Sequence, residues 1–167
     1  GARHADTDGL DPVSSEDHGG VRVRRYERTP VTVLSDVRAR IGTVQATGGG
    51  RGPSLELVEV GFAPHRCILI VPNPGKPVRL TFPQVQLGSE LVGYVGLADV
   101  FTRRDIRAPG KLEVEIGGTI MATATPGVDD GWVRFQTATT PGTADVTFIA
   151  SAEAPNRQLC FAAEARQ

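Results

Sequence analysis

Glycine and proline cut the chain into short apolar segments, and most of those segments alternate apolar with polar residues. A period of two sends successive side chains to opposite faces of an extended strand, so the pattern suits half-buried β-structure rather than helix. LELVEVGF (55–62), VRLTF (78–82), LEVEI (112–116) and WVRFQT (132–137) all show it. RCILIVP (66–72) is continuously apolar and reads as a strand buried on both faces. Gly117-Gly118 joins LEVEI to TIMATA (119–124), and a two-residue Gly-Gly link favours a primed hairpin turn. LVGYVGLADVF (91–101) is a strand interrupted by Gly93 and Gly96, which permit a bulge or a close backbone approach. ADVTFIASA (144–152) and LCFAAEA (159–165) complete a set of roughly nine or ten strands with no long amphipathic helix. GGGRGP (48–53) and PQVQLGSE (83–90) read as connections, and residues 21–47 stay open between strands and a short helical turn. The predicted fold class is all-β: a two-sheet antiparallel β-sandwich of jelly-roll type. No internal repeat supports a propeller or solenoid.

Residues 1–20 hold five acidic residues and four glycines with few apolar ones, so they are expected to form a disordered tail or linker ahead of a sandwich over 21–167. His4 and His18 lie in it, and the tether reading is preferred over a stray metal site. A chain of 167 residues suits a single domain with a real core. It opens at Gly1 with no Met and no leader, which reads as a processed product or a cut fragment. No apolar run reaches the roughly 18 residues that cross a bilayer, so no direct membrane insertion is expected of this segment. The formal net charge of −1 provides no global field for nucleic acid or anionic lipid. VRVRRYER (21–28) is basic with one aromatic, and charges on one strand face explain it more simply than nucleic-acid binding.

Cys67 and Cys160 are the two cysteines, 93 residues apart, and each sits in an apolar run. Two buried thiols and one disulfide both remain open. The disulfide is preferred, because a late strand commonly pairs back to an early one in a sandwich. Bridging a loop of that size restrains the unfolded chain by about 4–5 kcal/mol in the entropy picture. It also implies an oxidising, extracytoplasmic compartment: periplasm, cell surface or secreted.

Catalysis finds little support. Two of the three histidines are in the tail. His65 lies two residues from Cys67 on one strand face, and an apolar run raises a thiol pKa and makes it inert. GxSxG is absent, and GGGRG lacks the Lys-Ser/Thr of a phosphate loop. A carboxylate pair for glycoside hydrolysis would have to come from Asp99, Asp105, Asp129, Asp130, Glu113 or Glu115. Glu113 and Glu115 alternate with Leu112, Val114 and Ile116, the ordinary solvent-face position. Asp129-Asp130 sits in PGVDDGW, where Asx side chains hydrogen-bond the turn backbone. A structural calcium there is one reading, and the turn-former reading is preferred, so no cofactor is expected. The chain is read as a non-enzyme.

Carbohydrate binding needs a planar aromatic and a few polar groups. Trp132 is the only Trp and follows the DDG turn, Tyr94 lies in the glycine-spaced strand, and Arg103, Arg104 and Asp105 share a charged loop. With Asp130 these are the candidate ligand residues. For Trp132 a core role is the stronger reading, since it begins an alternating strand with Val133 and Phe135. HRCILIVP, LTFPQVQLGSELVGYVGLAD, DDGWVRFQT and the terminal RQLCFAAEAR give the stretch His65–Arg166 a further aspect. It resembles the galactose-binding-like, carbohydrate-binding-module jelly rolls that serve as accessory domains of bacterial envelope proteins. The resemblance implies a non-catalytic binding module, attached to or processed from a larger envelope protein, with binding loops at one end. The alternative is a structural or protein–protein assembly domain of a cell-surface protein. The expected partner is a glycan or another envelope protein.

Overall fold

The computed structural model describes residues 10–27, 30–98 and 107–167. The chain divides between Thr32 and Val33 into two compact units. The first holds an antiparallel hairpin of β1 (Ser14–His18) and β2 (Val21–Arg25), turned by Gly19 and Gly20 at φ 56° and 89°. The acid-rich stretch expected as tail through residue 20 is therefore, from Ser14, one arm of a hairpin. Residues 1–9, with His4, lie outside the described residues. His18 lies 3.1 Å from Glu16, and Arg22 donates to Asp17 across the strands at 2.9 Å.

The second unit is an antiparallel two-sheet jelly roll. Its strands are β3 (Val33–Asp36), β4 (Gln45–Gly48), β5 (Gly50–Val60), β6 (Ala63–Pro72), β7 (Val78–Leu87), β8 (Glu90–Leu97), β9 (Gly110–Ile116), β10 (Thr119–Ala124), β11 (Val133–Ala138), β12 (Gly142–Ala152) and β13 (Leu159–Arg166). One sheet runs β10-β9-β12-β7-β4. The other runs β11-β8-β13-β6-β5, with β3 also on β13. The predicted hairpin forms as β9–β10, with Gly117 and Gly118 at φ 60° and 82°.

Inward-facing residues of both sheets close one core. Phe148 is its hub, with ring centroids 4.8 Å from Phe161, 5.8 Å from Phe82 and 6.5 Å from Phe135. Gly93 sits where a Cβ would strike the Phe135 ring, the close approach its position allowed.

Two expected connections are strand instead. PQVQL continues β7 to Leu87 through a bulge at Gln84, whose φ is 51° and whose N–H donates to Asp145 Oδ1 at 2.9 Å. The bulge shifts the side-chain phase, so Leu80, Phe82, Val85 and Leu87 all turn inward despite their uneven spacing. GGGRGP starts β5, which pairs with β6 from Gly50↔Pro72 and carries a register shift between Arg51 and Ser54.

Candidate functional site

The six-stranded sheet has an outer face that is also apolar. Cys67, Leu69 and Cys160 point away from the main core and form a second buried cluster with Val60 and Ala98. Cys67 and Cys160 form the predicted disulfide, with Cα atoms 5.5 Å apart, joining β6 to β13. Both are fully buried.

The chain covers this cluster itself. β6 pairs with β13 only from Leu159 to Phe161, while β3 takes the far end of β13 at Glu164–Arg166. Arg38 holds the fork. It donates to Asp36 at 2.8 Å, to Glu164 at 3.3 Å and to the Arg66 carbonyl at 3.4 Å. Its guanidinium pKa is raised, chiefly by the Asp36 hydrogen bond. Released from β13, the tip of the β5–β6 hairpin reaches over the outer face. Val60 packs where a Cβ on Gly96 would collide with it, and Gly61 lies so close to Gly131 that an added Cβ would sit 2.9 Å from the Gly131 Cα. Gly96 also faces the Gly131 carbonyl, 2.5 Å from where a Cβ would be. Those close approaches seat the loop that carries Trp132.

Trp132 packs on the disulfide cluster and is stacked with two other rings. His65 stacks on it at 4.3 Å with planes 9° apart, and Tyr94 lies parallel at 6.1 Å with planes 7° apart. The three half-buried rings form a column across the sheet. Trp132 is thus neither a main-core residue nor an open platform. Both His65 and Tyr94 lie parallel to the indole plane. Phe62 follows Gly61 at the hairpin tip with φ 67° and is 78% exposed. LELVEVGF, expected as strand through Phe62, ends its strand at Val60 and turns there. Of the described Phe, Tyr and Trp residues in this unit, Phe82, Phe135, Phe148 and Phe161 lie in the main core. Phe62, Tyr94 and Trp132 share this corner.

Tyr94 and Trp132, two of the candidate ligand residues, are therefore brought together. Asp130 comes near them by chain but is engaged as a turn former. Its Oδ2 accepts from the Gly127 N–H at 2.7 Å, and its own N–H donates to the Gly127 carbonyl at 3.3 Å. Asp129 pairs with Arg107. Among the described residues no group of three or more His, Cys, Asp or Glu could hold a metal ion. Arg103, Arg104 and Asp105, and with them Asp99, lie outside the described residues. Arg134 stands opposite Tyr94 in the β11–β8 register and adds a cation to the same face. His65 and Phe62 were not among the sequence candidates. The shared face of His65 and Cys67 was the available signal for the first, and Gly61 before an aromatic was the signal for the second.

No protein-family model matches the chain, and no curated protein sequence does. Solved structures do match. CBM51-2 in complex with GlcNAc and INT domains from Clostridium perfringens ZmpB superposes with a TM-score of 0.54 at 10% identity, over 96% of this chain and 41% of that chain. TmCBM27, a carbohydrate-binding module dissected for specific mannan recognition, superposes with a TM-score of 0.50 at 8% identity, over 83% of this chain and 99% of that one. The chain thus spans less than half of the first and nearly all of the second. The likeness is one of fold: the chain shares a β-sandwich jelly roll with these two structures.

Proposed function

We propose that the chain is a non-catalytic, extracytoplasmic carbohydrate-binding module whose site is the aromatic corner of Phe62, His65, Tyr94 and Trp132. The observation that carries this is the stacked column on the outer face, held over a disulfide and set apart from the main core. Sugar rings present C–H-rich faces that pack on aromatic rings, while their hydroxyls need a few fixed polar partners. Phe62 exposes the most ring surface at this corner. The column supplies a rigid wall beside it, and Arg134 supplies donors. The non-catalytic part of the reading is supported by four described carboxylates that are held in ion pairs. Glu113 pairs with Lys111, Glu115 with Arg79, Asp129 with Arg107, and Glu164 with Arg38 and Arg166. The disulfide supports an oxidising compartment. Among the described residues no helix is long and apolar enough to cross a membrane.

A glycan array followed by calorimetry tests this. Tyr94→Ala and Phe62→Ala each should weaken the best glycan about 10-fold or more, equivalent to about 1.4 kcal/mol. An unchanged far-UV spectrum and intact disulfide serve as the control. Full affinity in both variants removes the corner as the site, and silence across neutral and charged glycans removes the function. A protein-binding role is the second reading. Leu57, 72% exposed on the same hairpin, together with Phe62, favours it. Capture of an envelope protein that is lost on Leu57→Ser, with no glycan bound, would establish that reading instead.

A further inference from the structure

Beside the disulfide cluster, on the same outer face, a groove of about 240 Å³ opens along the free edge of the sheet. Arg51, Ser54, Glu56 and Gln158 supply its polar groups, and Leu69 and Val71 form an aliphatic floor. We propose that this groove is a second sugar subsite, so that the module recognises an internal stretch of a neutral oligosaccharide rather than one terminal ring. The inference rests on the glycan-binding reading and extends it.

The groove lies where β5 carries one extra residue. Arg51 pairs with Val71, but Ser54, not residue 53, pairs with Leu69, so Gly52-Pro53 bulge from the edge. A bulge on an edge strand re-aims neighbouring side chains and opens the ladder. Its volume falls below the roughly 300–1,000 Å³ of sites that enclose a drug-sized ligand, which suits one sugar ring resting in an open hollow. The chemistry is that of a polyol site. Ser54 Oγ donates to Glu56 Oε1 at 2.6 Å, fixing a carboxylate that can accept from ring hydroxyls. Arg51 makes no side-chain hydrogen bond or ion pair among the described residues, and its guanidinium can donate. The carboxylate repels an anionic ligand while the guanidinium offsets its charge, which points to a neutral, hydroxyl-rich ring.

The position ties the two subsites together. Leu69 is both groove floor and a member of the disulfide cluster on which Trp132 packs. Glu56 opposes Cys67 and Val58 opposes His65. The step from groove to aromatic corner is therefore two residues of strand, about 7 Å, within reach of neighbouring rings of one oligosaccharide.

Calorimetry with neutral cello-, manno- and xylo-oligosaccharides and an acidic oligogalacturonide ladder, each of one to four units, tests the proposal on the whole chain. For the ladder that binds, affinity should rise about 10-fold or more from the monosaccharide to the tri- or tetrasaccharide. Arg51→Gln and Glu56→Gln, both at exposed positions, should each weaken the trisaccharide about 10-fold and leave the monosaccharide unchanged. Affinity that is flat with length, or variants that bind the trisaccharide like the parent, overturn the second subsite and leave the aromatic corner standing. Preference for an acidic ladder that is lost in Arg51→Gln overturns the neutral assignment. Silence of every ladder overturns both subsites together.

Discussion

The two faces of the six-stranded sheet are both apolar and are closed in different ways. The inner face, with Ile68, Ile70, Leu159 and Phe161, meets a whole second sheet. Among the described residues the outer face, with Cys67, Leu69 and Cys160, meets a hairpin tip and the Trp132 indole, and a disulfide ties its two strands together. Extensive closure makes the inner face global: any defect there is felt by every strand. Local closure makes the outer face separable, so it can present chemistry that the fold itself does not need. Trp132 is the only Trp in the chain, so its fluorescence reports the outer face while far-UV circular dichroism reports the sandwich.

That contrast breaks most severely at Phe148. Truncating a fully buried aromatic leaves a cavity and costs about 3–5 kcal/mol, a large part of the 5–15 kcal/mol typical of a domain. Phe148→Ala should move the fluorescence and dichroism transitions in urea to lower concentration together. Separate shifts of the two probes would show that the inner face is not the shared core described above.

The disulfide comes next. Cys67→Ala with Cys160→Ala should cost about 2–4 kcal/mol, below the pure loop-entropy figure because an unfolded chain retains some structure, and it also shrinks the seat of Trp132. The Trp132 signal is then expected to change at lower urea than the dichroism, the reverse of the Phe148 outcome. Coincident transitions in the double variant would mean that the outer face is part of the same cooperative unit.

The inner face was largely legible in the sequence, and the outer face only in its two cysteines, Tyr94 and Trp132. Alternation in LEVEI and WVRFQT, the continuous run ILIV and the paired cysteines are local signals, and each maps onto β9, β11, β6 or the bridge between β6 and β13. The strand over PQVQL was hidden because the bulge at Gln84 breaks the period that identifies strands. His65 and Phe62 were hidden for a different reason. Nothing local says that β6 will part from β13 above Cys67 and carry the hairpin tip over the sheet. That event depends on β3 taking the far end of β13, and on Arg38 bridging Asp36, Glu164 and the Arg66 carbonyl. Where a strand leaves its sheet is a tertiary fact, and the candidate site is built at that departure.

The smallest effect comes from two turns of the same composition. Gly117-Gly118 and Gly19-Gly20 both place two glycines at positive φ between antiparallel strands. Only the first was read as a hairpin, because its arms carry apolar residues such as Leu112 and Val114 that are buried in the core. β1 and β2 have every residue exposed, so their pairing rests on the turn and on cross-strand pairs such as Asp17–Arg22. An alanine in a left-handed turn position costs about 1 kcal/mol in either place. For Gly118→Ala that cost should appear as a lower urea midpoint of the whole sandwich. For Gly20→Ala it should appear as faster amide exchange over Ser14–Arg25, with the dichroism midpoint of the sandwich unmoved. An isolated two-stranded ribbon is marginal in water, so a loss of about 1 kcal/mol there is enough to melt it. Equal midpoint shifts in the two variants would show that the hairpin and the sandwich unfold as one.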